Sequence, residues 1–583
     1  MEPTPARARR SGIRRYAPFI AVVVVIAAIV LIAGNRNGSK GGDSNGGGAD
    51  QGSKSNTQLI EAGPMTPDKA KLQGRTVDFG PNCDTTTGRV KIPFWYAPSC
   101  VEPFTGANGG ATYGGVTADT IKVIVWTGDP AKDPLQAALV KSAGSDVDIS
   151  TTQENYGGWV NLYSQYAQLY GRKIDLSFFK GSGAPSDPVA AKADAQAIID
   201  MKPFAVLGGP NQTDAFADEI TAAKILCLGC STASPTKFMQ ERAPYIWTTG
   251  QLPEQASTLA AEMIGNLFAG KPAKWAGDPA MRSKTRVFGA VHYDTPAGQQ
   301  REAFKTFKSL LAERGVKLAS DTQYYLDIPR AQENARTIIA KLKAAKVTSV
   351  IFYGDPLTPS YLTKEATAQD YRPEWIIGPN VYADTAVFGR IYDQEQWKHA
   401  FGLSLIPARS SRDASGAYRL WTWQFGTPPP NNNYAVHQGP VSLLFTGINL
   451  AGPQLTPENF RDGMFRSGIS GGNPLAATIS FGKHGIWPSA TNDLGGADDG
   501  TLIWWNPTAK GMDEIGNEGT GLYEYVAGGT RYLPGKWPTS DPGIFDPAKS
   551  VTIYETVPKE YLDRKSTRLN SSHIPLSRMP SSA

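Results

Sequence analysis

Apolar runs of strand length alternate with stretches of helical spacing from about residue 116 onward. Ile121–Trp126 reads as the first strand, closed by Thr127-Gly128-Asp129-Pro130. Helical spacing follows through Trp159–Tyr170, then a strand over Ile174–Phe179 and an Ala-rich amphipathic helix over Pro188–Asp200. The pattern is densest in Phe204–Pro235. Phe204–Leu207 and Ile225–Leu228 have the unbroken apolar character of buried parallel strands. Between them Gly208-Gly209-Pro210 breaks the chain, and Asn211, Gln212 and Thr213 offer caps for a helix running to about Lys224. Ser231-Thr232-Ala233-Ser234 closes the second strand.

The rhythm repeats with different residues. Arg286–Val291 reads as a strand, with His292, Tyr293, Asp294 and Gly298 in its terminal loop and a helix over Gln299–Arg314. A helical run over Asp327–Lys346 leads to a strand at Ser349–Tyr353 and the loop Gly354-Asp355-Pro356. Tyr361–Gln369 reads as helix and Glu374–Ile377 as strand. From about Ser480 the pattern turns to short strands, Trp residues and turns, an edge or cap region. Alternation of this kind predicts an α/β fold of two doubly wound lobes. Ligands of open parallel sheets sit beyond the carboxyl ends of the strands. Helix N-terminal amides there favour an anion.

The ends of the chain follow other rules. ARARRSGIRR precedes the uncharged apolar stretch Tyr16–Gly34, long enough for a transmembrane helix of about 20 residues. Residues 1–15 are therefore expected to be cytoplasmic, 16–34 an anchor or signal, and the rest extracytoplasmic. The sequence favours an uncleaved anchor, since no small-x-small cleavage site follows. Residues 35–56 are a Gly/Ser-rich linker, and 57–115 an irregular N-terminal extension. At the far end, DRKSTRLNSSH and SRMPSSA within 563–583 resemble translated sequencing-adapter read-through, so the natural chain is expected to end or be truncated near Leu562.

The formal net charge of +5 comes from these ends, which hold five Arg in residues 1–15 and four basic groups in 563–583. The stretch between them is near neutral and carries no nucleic-acid footprint. Four cysteines in an oxidising compartment allow three pairings. Cys83 and Cys100 bracket a short excursion and are expected to pair. Cys227 and Cys230 then form a C-x-x-C, which can be a redox motif or half a metal site. No second Cys/His pair exists and the motif follows a strand, so a local disulfide or two buried thiols is the expected outcome. No cofactor and no metal site is read from the sequence.

Taken together, GGVTADTIKVIV, GRKIDL, AVLGGPNQTDAFADEITAAKILCLGCSTASP, VHYDTPAGQQREAFKTFKSLLAERGVKL and LAGPQLTPENFRDGM resemble the type I periplasmic-binding fold. More narrowly, they resemble the Leu/Ile/Val-binding branch of ABC-transporter solute-binding proteins, over roughly Gly115–Pro547. The resemblance implies two three-layer lobes with a hinge and an interlobe cleft. Lobe one is expected at 116–249 and 379–480, lobe two at 250–378 and 481–547, with 548–562 a C-terminal segment. It also implies an extracytoplasmic component of an ABC importer that binds a small polar solute (an amino acid, amide or similar) and works with a membrane permease. Carried over by position, the lobe-one ligand groups are Gln212, Thr213, Ser231, Thr232 and Ser234. Those of lobe two are Tyr293 or Asp294, and Asp355; the Tyr-Gly pair usual in the first lobe-two loop reads Ala297-Gly298 here.

Each residue also has a plainer reading. Ser231, Thr232 and Ser234 serve equally as turn and cap residues, Asp355 as a helix cap, and Tyr293 and Trp126 as packing. Two rival functions share the sequence. One is a membrane-tethered sensor of the same fold. The other is an exported serine hydrolase, because Gly468-Ile469-Ser470-Gly471-Gly472 spells G-x-S-x-G with His437 and His484 as candidate bases. A helical run precedes that serine and Gly-Asn-Pro follows it, against the strand-turn-helix an elbow needs.

Overall fold

The computed structural model describes residues 54–129, 131–132, 149–210, 212–231, 234–294, 298, 300–487, 493–514 and 516–562. The expected anchor at 16–34 and the tail at 563–583 lie outside the described residues. Among the described residues no helix is long and apolar enough to cross a membrane.

Five parallel strands make the first sheet: β1 (Thr120–Thr127), β2 (Lys173–Lys180), β3 (Ala205–Leu207), β4 (Leu226–Leu228) and β5 (Ile246–Trp247), in the order β2-β1-β3-β4-β5. The second sheet repeats that order with β6 (Phe288–Tyr293), β7 (Leu318–Tyr324), β8 (Ser349–Gly354), β9 (Glu374–Asn380) and β10 (Ala400–Ser404), running β7-β6-β8-β9-β10. Antiparallel β11 (Gly500–Met512) and β12 (Glu518–Val526) then extend it, with β13 (Arg531–Tyr532) paired to β11 and β14 (Ser550–Val551) to β12. Two doubly wound lobes in one α/β chain are what the alternation predicts.

The helices of the first lobe are α1 (Ile149–Tyr166), α2 (Pro188–Asp200) and α3 (Ala215–Ala222). Those of the second are α4 (Pro253–Phe268), α5 (Arg301–Glu313), α6 (Ala331–Ala344) and α7 (Thr358–Ala368). The chain then returns to the first lobe with α8 (Gly416–Phe425), α9 (Tyr434–Ala451) and α10 (Pro457–Arg466).

Successive strand residues point to opposite faces, and β8 shows the result. Ile351 and Tyr353 join Phe304, Phe307 and Leu311 of α5 in one core, whereas Val350 and Phe352 join Ile338, Ile339 and Leu342 of α6 in another. All six residues of β8 are buried, so it is covered on both faces, as a central parallel strand must be. Arg286, leading into this sheet, is buried against Glu374, with Nε 2.7 Å from Oε2 and Nη2 3.0 Å from Oε1. Ser349 Oγ and the Trp275 backbone amide donate to the same carboxylate, so the buried Glu374 carboxylate accepts four hydrogen bonds.

The return to the first lobe falls later than the sequence boundary at 379. β10 pairs with β9, which puts residues up to Ser404 in the second sheet. Gly402 makes this pairing close: a Cβ there would lie 2.3 Å from the Ile377 carbonyl oxygen. Without a β-branched run, Ala400–Ser404 gives little strand signal.

Three segments join the lobes and lie side by side. The first runs from Thr248 to Leu252, the second from Leu405 to Ser411, and the third from Asp493 to Gly500. The Gly496 amide donates to the Gly250 carbonyl (3.0 Å), and Gln251 Nε2 to the Asp499 carbonyl (2.8 Å). Arg531 Nη1 and Nη2 donate to the Ile406 and Leu405 carbonyls, each at 2.9 Å. Its Nε meets Asp499 Oδ1 at 2.8 Å in a pair about 99% buried on both sides. Asp498 accepts from Ser480 and Trp487, and Asp493 from Gln255 and the Gly495 amide.

The N-terminal extension has more structure than its composition suggests. It forms helices Asn56–Ala62 and Pro67–Leu72 and a short antiparallel pair at 83–84 and 89–90, with Cys83 and Cys100 bonded as a disulfide. Arg172 fastens it to the first lobe, donating to the carbonyls of Asn108, Gly110, Thr117 and Pro453. Tyr96 OH donates to the Ala477 carbonyl (2.9 Å), and Trp95 Nε1 to that of Tyr561 (2.8 Å).

Candidate functional site

Where the lobes are joined decides where a ligand fits. The first crossing leaves the carboxyl end of β5. The second leaves that of β10, and β11 starts beside it, with Thr501 opposite Ser404. Both sheets are thus joined at their carboxyl ends, and the loops that follow their parallel strands face one another.

On the first lobe, Gln212 and Thr213 precede α3, which starts at Ala215 with Asp214 as its N-cap, later than the capping pattern suggested. Gln212 is exposed, and Thr213 Oγ1 accepts from the Ala215 amide at 3.3 Å. Ser231 and Ser234 are each 4% exposed. Ser234 Oγ donates to Asp214 Oδ1 at 2.5 Å, Ser231 Oγ lies 3.5 Å from the same oxygen, and the two hydroxyls bond to each other. The structure brings these residues together at the strand ends, with the two serine hydroxyls directed at Asp214. Thr232 lies outside the described residues. Cys227 and Cys230 form a disulfide.

On the second lobe, Asp355 is a helix cap. Its Oδ1 accepts from the amides of Leu357 (2.8 Å) and Thr358 (2.9 Å), and its Oδ2 from Tyr324 OH (2.5 Å) and Thr358 Oγ1 (2.7 Å). Four donors surround this carboxylate, as the plainer reading of Asp355 as a helix cap expects. Asp294, 1% exposed, is held in a similar way, accepting from the Gln300 amide at 3.1 Å with Arg301 Nε 3.8 Å away. Tyr293 differs. It is half-buried and its hydroxyl has no protein partner among the described residues, while burial first, then Asp355 and Asp294, push that hydroxyl up to about 12.

Three side chains on other strand-end loops of the second lobe carry no signal in the sequence pattern. Tyr325 after β7 is 46% exposed, and Val381 and Tyr382 after β9 are each 57% exposed. Burial first, then Asp384, raises the Tyr382 hydroxyl. Trp126 turns inward instead, donating to Asp194 Oδ2 at 3.0 Å as packing.

The nucleophile-elbow spelling does not form an elbow. Ser470 follows α10 and pairs in an antiparallel bridge with Ile479, and among the described residues its hydroxyl bonds to neither His437 nor His484. No group of three His, Cys, Asp or Glu suited to a metal ion occurs among the described residues.

No protein-family model matches the chain, and no curated protein matches it. Among solved structures it is similar to a leucine-, isoleucine-, valine-, threonine- and alanine-binding protein from Brucella ovis, at 12% identity over 75% of this chain and 100% of that one, with a TM-score of 0.47. It is also similar to an ABC-transporter solute-binding protein from Rhodopseudomonas palustris in complex with 4-hydroxybenzoate, at 16% identity over 69% of this chain and 97% of that one (TM-score 0.46). A third is a fatty acid ABC transporter substrate-binding protein from Thermomonospora curvata, at 15% identity over 75% and 97% of the two chains (TM-score 0.45). The paired sheets and the crossings at their carboxyl ends are the architecture of the type I periplasmic-binding fold.

Proposed function

We propose that this chain is the extracytoplasmic, membrane-tethered solute-binding component of an ABC importer, taking a small polar solute between its lobes and passing it unchanged to a permease. The observation that carries this reading is the joining of both sheets at their carboxyl ends, which turns two sets of strand-end loops toward one gap. Binding then shifts an open/closed equilibrium by the solute's preference for the closed form. In this reading Gln212, Thr213, Ser231 and Ser234 belong to the lobe-one wall of that gap, and Tyr293 to the opposite wall; Thr232 is kept as a ligand candidate from its sequence position alone. Asp294 and Asp355 hold the lobe-two loops in shape. The apolar segment at 16–34 is the tether.

The test is native mass spectrometry on the full chain, purified in detergent without refolding. A single low-mass compound retained at one per chain, whose removal and return expand and compact the protein in small-angle scattering, is the expected result. A chain that retains nothing, and does not compact with any metabolite fraction, would refute the reading.

A further inference from the structure

Close to the carboxyl edge of the first sheet, where α1 packs on α9, three polar groups have no protein partner among the described residues. They are the Tyr156 hydroxyl, His437 Nδ1 and Asn155 Oδ1. The Tyr156 and His437 rings stack, with centroids 4.6 Å apart and planes 25° from parallel, and Phe178 near the end of β2 meets Tyr156 edge-on at 6.2 Å.

Neighbouring contacts fix the pair's place. A Cβ on Gly229, just past β4, would lie 3.3 Å from Pro440 Cγ, and one on Gly439 would lie 3.5 Å from Thr249 Oγ1. The second turn of α9, just after His437, therefore sits between the serine loop and the first crossing, beside the strand-end loops of the first lobe. Beside His437, Val436 is 73% exposed.

Charge on these walls is already committed. Asp214 receives the serine hydroxyls at the start of α3, where it would repel a carboxylate seeking the helix amides. Asp294 and Asp355 cap loops of the second lobe. Burial pushes the His437 imidazole down to about 4, so it is neutral at physiological pH. Among the described residues, Arg301 and Lys180 are likewise paired, with Asp294 and Asp129, and what stands beside these pairs is neutral: ring area from Tyr156, His437, Tyr293, Tyr325 and Tyr382, the Tyr156 and Tyr293 hydroxyls and the His437 imidazole. Burying an ion against such a surface leaves it without a counter-charge. An amide or hydroxyl finds its hydrogen bonds there, and an apolar or unsaturated body finds aromatic contact.

We propose that the stacked Tyr156–His437 pair is a specificity element of the first lobe, and that it selects an uncharged solute with an unsaturated or apolar body and amide or hydroxyl groups. This rests on the solute-binding reading above and narrows it.

The test is calorimetric titration of the full chain in detergent with three probes of one size: benzamide (neutral), benzoate (anionic) and L-phenylalanine (zwitterionic). Benzamide is expected to bind at least about tenfold more tightly than the other two. Tyr156→Phe and His437→Phe keep ring area but remove the polar atoms, and each is expected to weaken benzamide binding about fivefold or more, with the melting temperature unchanged. Tighter binding of benzoate or L-phenylalanine, or variants that leave benzamide affinity as it was, would overturn the proposal. Silence from all three probes would also overturn the solute class. Whether the gap binds anything is decided separately by the retained-solute experiment.

Discussion

Ser234 donates its hydroxyl to Asp214 Oδ1 at 2.5 Å, which ties the loop after β4 to the first turn of α3. Because both partners come from loops at the strand ends, this bond shapes the lobe-one wall before any solute arrives. Ser234→Ala is expected to cost about 1–3 kcal/mol, since it removes a charge-assisted hydrogen bond from a buried site. Urea denaturation monitored by tryptophan fluorescence measures it. Ser231→Ala combined with Thr232→Ala is expected to lower affinity for the retained solute while the protein stays folded, and calorimetry showing unchanged affinity would remove both from the site.

Asp355 gives a contrasting expectation. Asp355→Ala removes the cap of α7 and leaves the Tyr324 hydroxyl buried without its partner, for a combined cost of about 2–4 kcal/mol. Affinity for the solute is expected to survive in the fraction that remains folded. A variant as stable as the parent but unable to bind would return Asp355 to the ligand set.

Arg286 and Glu374 set the scale for the second lobe. Both are buried and bonded to each other, so Arg286→Ala strands a carboxylate in the core and is expected to cost about 3–5 kcal/mol. Replacing both residues with apolar side chains of similar volume is expected to cost less than the single change. A double-mutant cycle in denaturant distinguishes the two cases.

The carboxylates between the lobes predict a pH dependence. Burial pushes Asp493 up to about 7 and raises Asp498 as well, with Asp493 adding to the rise at Asp498. A carboxyl group whose folded pKa is raised holds its proton longer in the folded state than in the unfolded chain. Its stabilising contribution is complete below the ordinary carboxylate range and is lost as pH rises toward 7. Relative to Asp493→Asn, the parent is therefore expected to lose stability between about pH 4 and pH 7, by at most about 1.4 kcal/mol per pH unit for each proton involved. Identical stability profiles for parent and variant across that window would contradict it.

The parts of the fold that the sequence made legible are those where burial dictates composition. Ile121–Trp126 and Ile225–Leu228 must be apolar on both faces, and the helix over Pro188–Asp200 announces itself through Asp187 as cap and Pro188 at its first turn. β10 was hidden because close backbone approach at Gly402 replaces side-chain packing. The site was only half legible. Serine and aspartate at strand ends mark a polar rim, but a linear pattern does not show whether a hydroxyl meets a solute or, like Ser234, another side chain. The Tyr156–His437 stack joins residues from opposite ends of the first lobe's two chain segments, and no local spacing reveals it. The same holds for Arg531 and Asp499, whose pairing depends on the third crossing lying against β13.

The three parallel connectors have a mechanical consequence. Cutting any one of them leaves two others spanning the halves, so a nicked chain should still migrate as one particle under native conditions. A single connector would let the halves swing and swivel freely. Three abreast resist twisting and sideways slip, and leave bending across their common line as the soft motion.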